Sequence, residues 1–235
     1  GQVPTQMPLA GSPALDKGLR YGRDQRGLNG VFDIGSIAPA TGGNNADIGA
    51  VEAQAIIVST TNDSGAGSLR QAIIDANANG GGTDDVLFSV NLPATINLQS
   101  RLPQPTGHMN FDGPNAQLLT ISRAPGAPAF GLLDVFQPVQ IGITRIGFTN
   151  GLDDGSNGGD NFGGGIDAFT AELHLSEVEI SGCQAVSGAG LSLANANGVI
   201  GHSAITANIA AAQGGGIYFQ GDNNRLFLHD STIGS

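Results

Sequence analysis

The sequence predicts an all-β protein in which short strands stack as the coils of a parallel β-solenoid. Three observations predict this class. A glycine run recurs at a nearly fixed spacing, a second apolar row recurs out of phase with it, and the composition is poor in the residues that build aromatic cores and long helices. Self-similarity at a period of roughly 20–50 residues is typical of repeat architectures.

The glycine runs mark one side of the predicted coil. Each run directly precedes an alternating apolar stretch, and the first apolar residues of these stretches are Ile166, Leu191 and Ile217. The steps between them are 25 and 26 residues. Side chains at alternate positions of a strand share one face, so these residues are expected to stack inside successive coils. The glycines are expected at the turns, where left-handed backbone or close packing is required.

A second row predicts that each coil contains more than one strand. It consists of Phe148, Ile180, Ile205 and Ile233. About 25 residues per coil gives about six coils between residues 84 and 235. A β-sandwich would show turn signals without this long register.

Composition and charge exclude several function classes. The chain has 38 glycines, two tyrosines, no tryptophan and a formal net charge of −11, so nucleic acid is not an expected partner. No apolar run reaches the ~20 residues that cross a bilayer. The first residue is not Met and no signal peptide is evident, which suggests a processed or excised piece of a longer product. Cys183 is expected to be a buried apolar residue.

The chain is expected to divide near residue 53. Residues 1–53 are rich in proline and predict irregular loops with two short strands, whereas residues 54–235 predict the solenoid. One helix is predicted near 68–79, because Ser68 and Gln71 have capping-box spacing and an apolar stripe follows. We expect this helix to cover the open first coil.

Several motifs resemble the large bacterial surface proteins that contain a right-handed parallel β-helix. The segment IIVSTTNDSGAGSLRQAIIDANANGGG, with GGGI and LHDSTI further on, is similar to the start and coils of that family. The segment GSPALD, with DQRG and DIGAVE after it, is similar to the family's closing tail. The resemblance implies a right-handed solenoid, secreted or exposed at the cell surface, with a short N-terminal capping helix.

The order of these motifs departs from the family, because the tail-like segment precedes the coils here. One interpretation is a window on a longer tandem protein. The other is one period of a head-to-tail assembly in which residues 1–53 cover the last coil of a neighbouring copy. Both predict a structural role in an extracellular fibre, sheath or surface rod, with copies of the chain or neighbouring repeats as partners.

Two alternatives stay open. The first is an adhesin or glycan-binding module, although the ten phenylalanines are dispersed in the sequence. The second is a polysaccharide lyase or glycoside hydrolase, which would need a pair of carboxyl groups. The adjacent pairs are Asp84-Asp85 and Asp153-Asp154, and both are expected beside glycine-rich loops. His202 and His229 are expected as outward-facing neighbours on adjacent coils. No catalytic residue and no enzymatic activity are therefore predicted.

The acidic loop 151–165 is the candidate metal site. Asp153, Asp154 and Asp160, with Asn157 and Asn161, offer the hard oxygen ligands that Ca²⁺ prefers. The spacing matches neither an EF-hand nor the glycine-rich calcium nonapeptide. The competing interpretation is a solvated insertion between coils, and apart from this possible Ca²⁺ no cofactor is expected.

Overall fold

The structure is a computed structural model that describes residues 55–79, 82–156 and 158–234. The chain divides into two compact units, residues 1–57 and 58–235. The tail-like segment predicted for residues 1–53 lies outside the described residues. The fold is therefore that of the second unit.

One helix and 20 short strands make up the described chain. In chain order they are β1 (Ala55–Val58), α1 (Leu69–Ala78), β2 (Thr83–Phe88), β3 (Ala94–Leu98), β4 (His108–Asp112), β5 (Leu119–Arg123), β6 (Leu133–Val135), β7 (Gln140–Thr144), β8 (Gly147–Thr149), β9 (Leu152–Asp153), β10 (Ile166–Phe169), β11 (Glu172–Ser176), β12 (Glu179–Ser181), β13 (Gln184–Ser187), β14 (Leu191–Ala194), β15 (Asn197–Gly201), β16 (Ala204–Thr206), β17 (Ile209–Gln213), β18 (Ile217–Gln220), β19 (Leu226–His229) and β20 (Thr232–Ile233).

The strands form four parallel sheets, and the chain passes from sheet to sheet as it winds. The sheet orders are β1-β2-β4-β7-β11-β15-β19, β3-β5-β8-β12-β16-β20, β9-β13-β17 and β6-β10-β14-β18. The result is a right-handed parallel β-solenoid of about seven turns with one short helix, which confirms the predicted fold class.

Both apolar rows of the sequence are structural ladders. Ile166 pairs with Leu191, which pairs with Ile217, in one sheet. In another sheet the second row pairs in the predicted order, Phe148 with Ile180, Ile180 with Ile205, and Ile205 with Ile233. Because identical inward positions stack from coil to coil, the interior is one continuous apolar column.

The glycine runs are explained by backbone conformation and by space. Gly163, Gly188 and Gly214, which begin the three runs, have φ values of 57°, 61° and 63°. These values lie in the left-handed region that glycine adopts without steric cost. At Gly190 an added Cβ would lie 2.6 Å from the Gly216 carbonyl oxygen of the next coil. Only a residue without a side chain allows the coils to stack this closely.

The predicted helix is confirmed within a residue or two of its expected ends. Ser68 is the N-cap and its side chain accepts a hydrogen bond from Gln71 N at 3.1 Å. The reciprocal half of a capping box does not form, because Ser68 N donates to Gly65 O at 3.1 Å. Gln71 Nε2 donates to Asp75 Oδ1. Its apolar side, which includes Leu69 and Ile73, is buried. Within the described ranges no helix combines the length and apolarity needed to span a bilayer.

Buried polar side chains stabilise the turns between sheets. Asn208 is buried, accepts a hydrogen bond from Cys183 N and donates one to Ile180 O, both at 2.9 Å. Ser203 accepts from Val178 N at 3.0 Å and donates to Gly201 O at 2.8 Å. These bonds satisfy backbone groups where the ladder is interrupted, since a buried unpaired group costs about 1–3 kcal/mol.

Candidate functional site

The sheet β6-β10-β14-β18 carries a polar row on its outer face. Its registered members are Asp134, Asp167, Ser192 and Tyr218. Each is flanked along its strand by an inward apolar residue, so alternation directs the row away from the solenoid interior. Asp134, Asp167 and Ser192 are nevertheless almost fully buried, because other segments cover this face.

Arg101 connects the polar row to the strand β9. One guanidinium nitrogen, Nη1, binds Asp134 Oδ2, and the other, Nη2, donates to Asp153 Oδ2 at 2.7 Å. Both carboxylates are about 1 % exposed and Arg101 is 20 % exposed. This charged triad connects β6 with β9 and fixes the base of the loop that follows β9.

The loop that carries Arg101 is in turn bound to the helix. Arg70 of α1 donates to the carbonyl oxygens of Arg101, at 2.6 Å, and of Ser100, at 2.8 Å. The same guanidinium forms an ion pair with Asp63 at 2.8 Å. The helix therefore positions Arg101 as well as burying apolar surface.

The two carboxyl groups of the polar row differ in their charge partners. Burial raises the pKa of Asp134 to about 7, and the Arg101 charge opposes this only in part. Burial raises the pKa of Asp167 to about 8, the neighbouring Asp160 carboxylate adds to the rise, and the nearby Ser192 hydroxyl acts in the opposite direction. The Asp167 carboxyl therefore keeps its proton to a higher pH than a solvated aspartate does, and in its protonated form it can donate a hydrogen bond.

A cleft of about 450 Å³ lies over the end of the polar row. Asp167, Ser192 and Tyr218 contribute to its floor, while Phe162 and Asp160 come from the loop after β9. Phe162 and Tyr218 contact each other with ring centroids 5.4 Å apart and planes tilted by 43°. A second outward row, two residues further along the strands, adds Phe136, Phe169, Ala194 and Gln220.

The three aspartates proposed as calcium ligands differ in burial and in their hydrogen-bond partners. Asp153 is buried, and its second oxygen accepts hydrogen bonds from Gly155 N and Asn161 N. Asp154 is exposed, and hydrogen bonds from Ser156 lower its pKa. Asp160 is exposed and accepts from Phe162 N at 3.1 Å, whereas Asn157 lies outside the described residues. Calcium binding at Asp153, Asp154 and Asp160 stays a prediction, and any ion there would compete with Arg101 for Asp153.

Asp84 and Asp85 lie near the start of a strand that follows a glycine-rich segment, as expected. Both residues lie within β2, so alternation places their side chains on opposite faces. Asp84 is buried and accepts a hydrogen bond from Asn79 Nδ2 at 2.6 Å, and burial raises its pKa. Asp85 accepts a hydrogen bond from Asn110 Nδ2 on the next strand. The two carboxyls do not share one site.

His202 and His229 are exposed neighbours on adjacent coils. They are offset by one position in the strand register, because His229 pairs with Gly201 rather than with His202. Their rings still meet edge to face with centroids 5.3 Å apart. Within the described ranges, these two histidines and Asp230 form the group of three potential metal ligands whose donor atoms lie within 4.8 Å of one another. Imidazole nitrogens and carboxylate oxygens are common ligands of Zn²⁺.

No protein-family model, no curated protein and no solved structure matches this chain. Its class rests on the fold and the site: a right-handed parallel β-solenoid that buries a carboxylate cluster on the outer face of one sheet.

The carboxylate cluster was not predicted, because its members are not adjacent in the sequence. Asp134 in LLDVF and Asp167 in GIDAF occupy the same position of equivalent strands, one coil apart. This shared apolar-Asp-apolar pattern after the repeat was the available signal. The dispersed aromatic residues were also missed as a group, because the coil period brings them together only in three dimensions.

Proposed function

We propose that this chain is a structural module of an extracellular bacterial fibre, sheath or surface rod, in which solenoid coils continue past β17–β20. The neighbouring coil comes from a second copy or from the next repeat of a longer chain. The resemblance of the sequence motifs to bacterial surface proteins supports the cellular setting, and the four strand edges at β17–β20 support the assembly.

All four sheets have their edge strand in the same region. These edge strands are β17, β18, β19 and β20. A free strand edge offers N–H and C=O groups with which another strand can pair. The apolar side chains exposed on these strands are Ile209, Phe219, Phe227, Leu228 and Ile233. Phe219, Leu228 and Ile233 pair with buried side chains of the preceding coil, so a further coil in register would bury them. Such a heterologous contact repeats without closing.

A charge at this edge tests the proposal. The Ile233→Arg variant of the 235-residue chain places a guanidinium on the end of the second ladder, where a stacked coil would bury it. We expect self-association to weaken at least tenfold, measured by sedimentation velocity over a range of concentrations. The matched control is Leu118→Arg, because Leu118 is similarly exposed (42 % against 39 %) but lies in a turn before β5.

Two results would contradict the copy-to-copy form of the proposal. One is a chain that stays monomeric at every concentration and ionic condition. The other is equal weakening by Ile233→Arg and Leu118→Arg. The form with covalently linked repeats is tested on the native material, where the absence of rods would refute it.

A further inference from the structure

Ser192 lies beside Asp167 in the cleft. It is fully buried, and among the described residues its Oγ is the buried side-chain polar atom that forms no hydrogen bond of normal geometry. It belongs to the floor of the aromatic cleft. Burying a hydroxyl without a partner costs about 1–3 kcal/mol, and a ligand hydroxyl can supply that partner.

The charges near the cleft nearly cancel. Arg101 is paired with both Asp134 and Asp153. Burial favours the neutral form of Asp167, so Asp160 is the solvated carboxylate at the rim of the cleft. A weakly negative, partly apolar cleft disfavours an anionic ligand and gives a multivalent cation little charge to bind.

The cleft combines aromatic faces with groups that both donate and accept hydrogen bonds. Phe162 and Tyr218 supply tilted rings, and Phe136 and Phe169 extend the apolar surface. Ser192, Asn195 and Gln220 supply hydroxyl and amide groups. A sugar ring has the complementary pattern, because its C–H faces are apolar and its rim carries hydroxyls that donate and accept.

We propose that the cleft around Phe162, Asp167, Ser192 and Tyr218 binds a neutral oligosaccharide, with one sugar ring against the aromatic pair and one sugar hydroxyl bonded to Ser192. Neighbouring strands lie about 4.8 Å apart, so the four strands of this sheet span about 14 Å along the solenoid axis. This length accommodates a short oligosaccharide rather than a single sugar. The site does not depend on end-to-end assembly.

The test is binding of defined oligosaccharides to the whole chain. The probes are cellotetraose, maltotetraose and tetra-N-acetylchitotetraose, with tetragalacturonic acid as the anionic comparison. The chain has two tyrosines and no tryptophan, so Tyr21→Phe leaves Tyr218 as the fluorescent reporter in the cleft. We expect saturable quenching or enhancement by at least one neutral probe, with a dissociation constant of about 1 mM or tighter, and much weaker binding of the acid.

Two variants separate binding from folding. Ser192→Ala is expected to weaken binding about tenfold while the melting temperature stays equal or rises, since an unpaired buried hydroxyl is removed. Phe162→Ala is expected to weaken binding by at least fivefold. Phe227→Ala is the control, because Phe227 is an exposed phenylalanine on β19 outside the cleft.

Cleavage of a neutral probe that Ser192→Ala slows would also support the site. The proposal fails if no neutral probe binds saturably or if tetragalacturonic acid binds as tightly as the neutral probes. It fails equally if Ser192→Ala and Phe162→Ala leave the affinity unchanged, or if Phe227→Ala weakens binding as much as they do.

Discussion

Asp167 shows how the coil register decides the chemistry of a single residue. Its side chain faces outward from β10, where an aspartate would normally be solvated, yet the loop after β9 buries it beside Asp160. Sequence periodicity predicts the direction of the side chain. It does not predict the cover, because that cover comes from an insertion without a repeat.

The raised pKa of Asp167 predicts a pH-dependent stability. The folded-state pKa is about 8 and the ordinary pKa of an aspartate is 3.8, so the folded protein retains a proton that the unfolded chain releases between these values. This contribution to stability is complete below about pH 4 and is lost as the pH rises through about 8. Asp167→Asn cannot ionise, so at pH 9 we expect it to be more stable than the parent chain by about 1–3 kcal/mol.

Denaturant unfolding at pH 5 and pH 9 measures this difference. Asp222→Asn, at an exposed position, controls for the loss of one negative charge. A stability difference between Asp167→Asn and the parent chain that is the same at both pH values would show that Asp167 does not titrate as described.

The structural role of Asn208 cannot be predicted from its neighbours in the sequence. The sequence places it at a turn, where a left-handed asparagine is common. In the structure it is Asn195 that has positive φ, at 50°, whereas Asn208 is buried and bonds to the backbone of the preceding coil. Both fit the same polar pattern, and only the packing around each position distinguishes them.

At the scale of elements, strands and turns follow the sequence closely. The two ladders, the helix and the glycine turns were all predicted, because each depends on local spacing and on the stacking of equivalent positions. Of the two shortest strands, β9 was not predicted, whereas β20 carries Ile233 of the predicted second row. β9 has only two residues, which is too short for a periodic pattern. Its position is fixed by its pairing with β13 of the next coil.

The close stacking at the glycine runs predicts a large cost for one methyl group. In Gly190→Ala the new Cβ would lie 2.6 Å from Gly216 O and 2.7 Å from Ile205 Cγ2. We expect the free energy of unfolding to fall by more than about 2 kcal/mol, measured by denaturant titration. Gly107→Ala, which has nothing within 4 Å, should change it by less than about 0.5 kcal/mol. Similar costs at both positions would mean that the coils do not stack this closely.

At the scale of the whole molecule, the solenoid is a linear object with two different ends. Near its start, the helix α1 buries an apolar side. At the other end, β17–β20 are the edge strands of the four sheets among the described residues, and they expose apolar side chains. The cleft around Phe162 and Tyr218 lies on the flank of the coils, so end-to-end assembly would repeat it along a rod rather than cover it.

Electron cryomicroscopy of the native material and of the isolated chain tests end-to-end stacking. We expect unbranched rods in which the coil spacing of about 4.8 Å continues without interruption from one module into the next. Separate particles in both samples, with the β17–β20 edges uncovered or with modules joined through another surface, would contradict the proposed structural role.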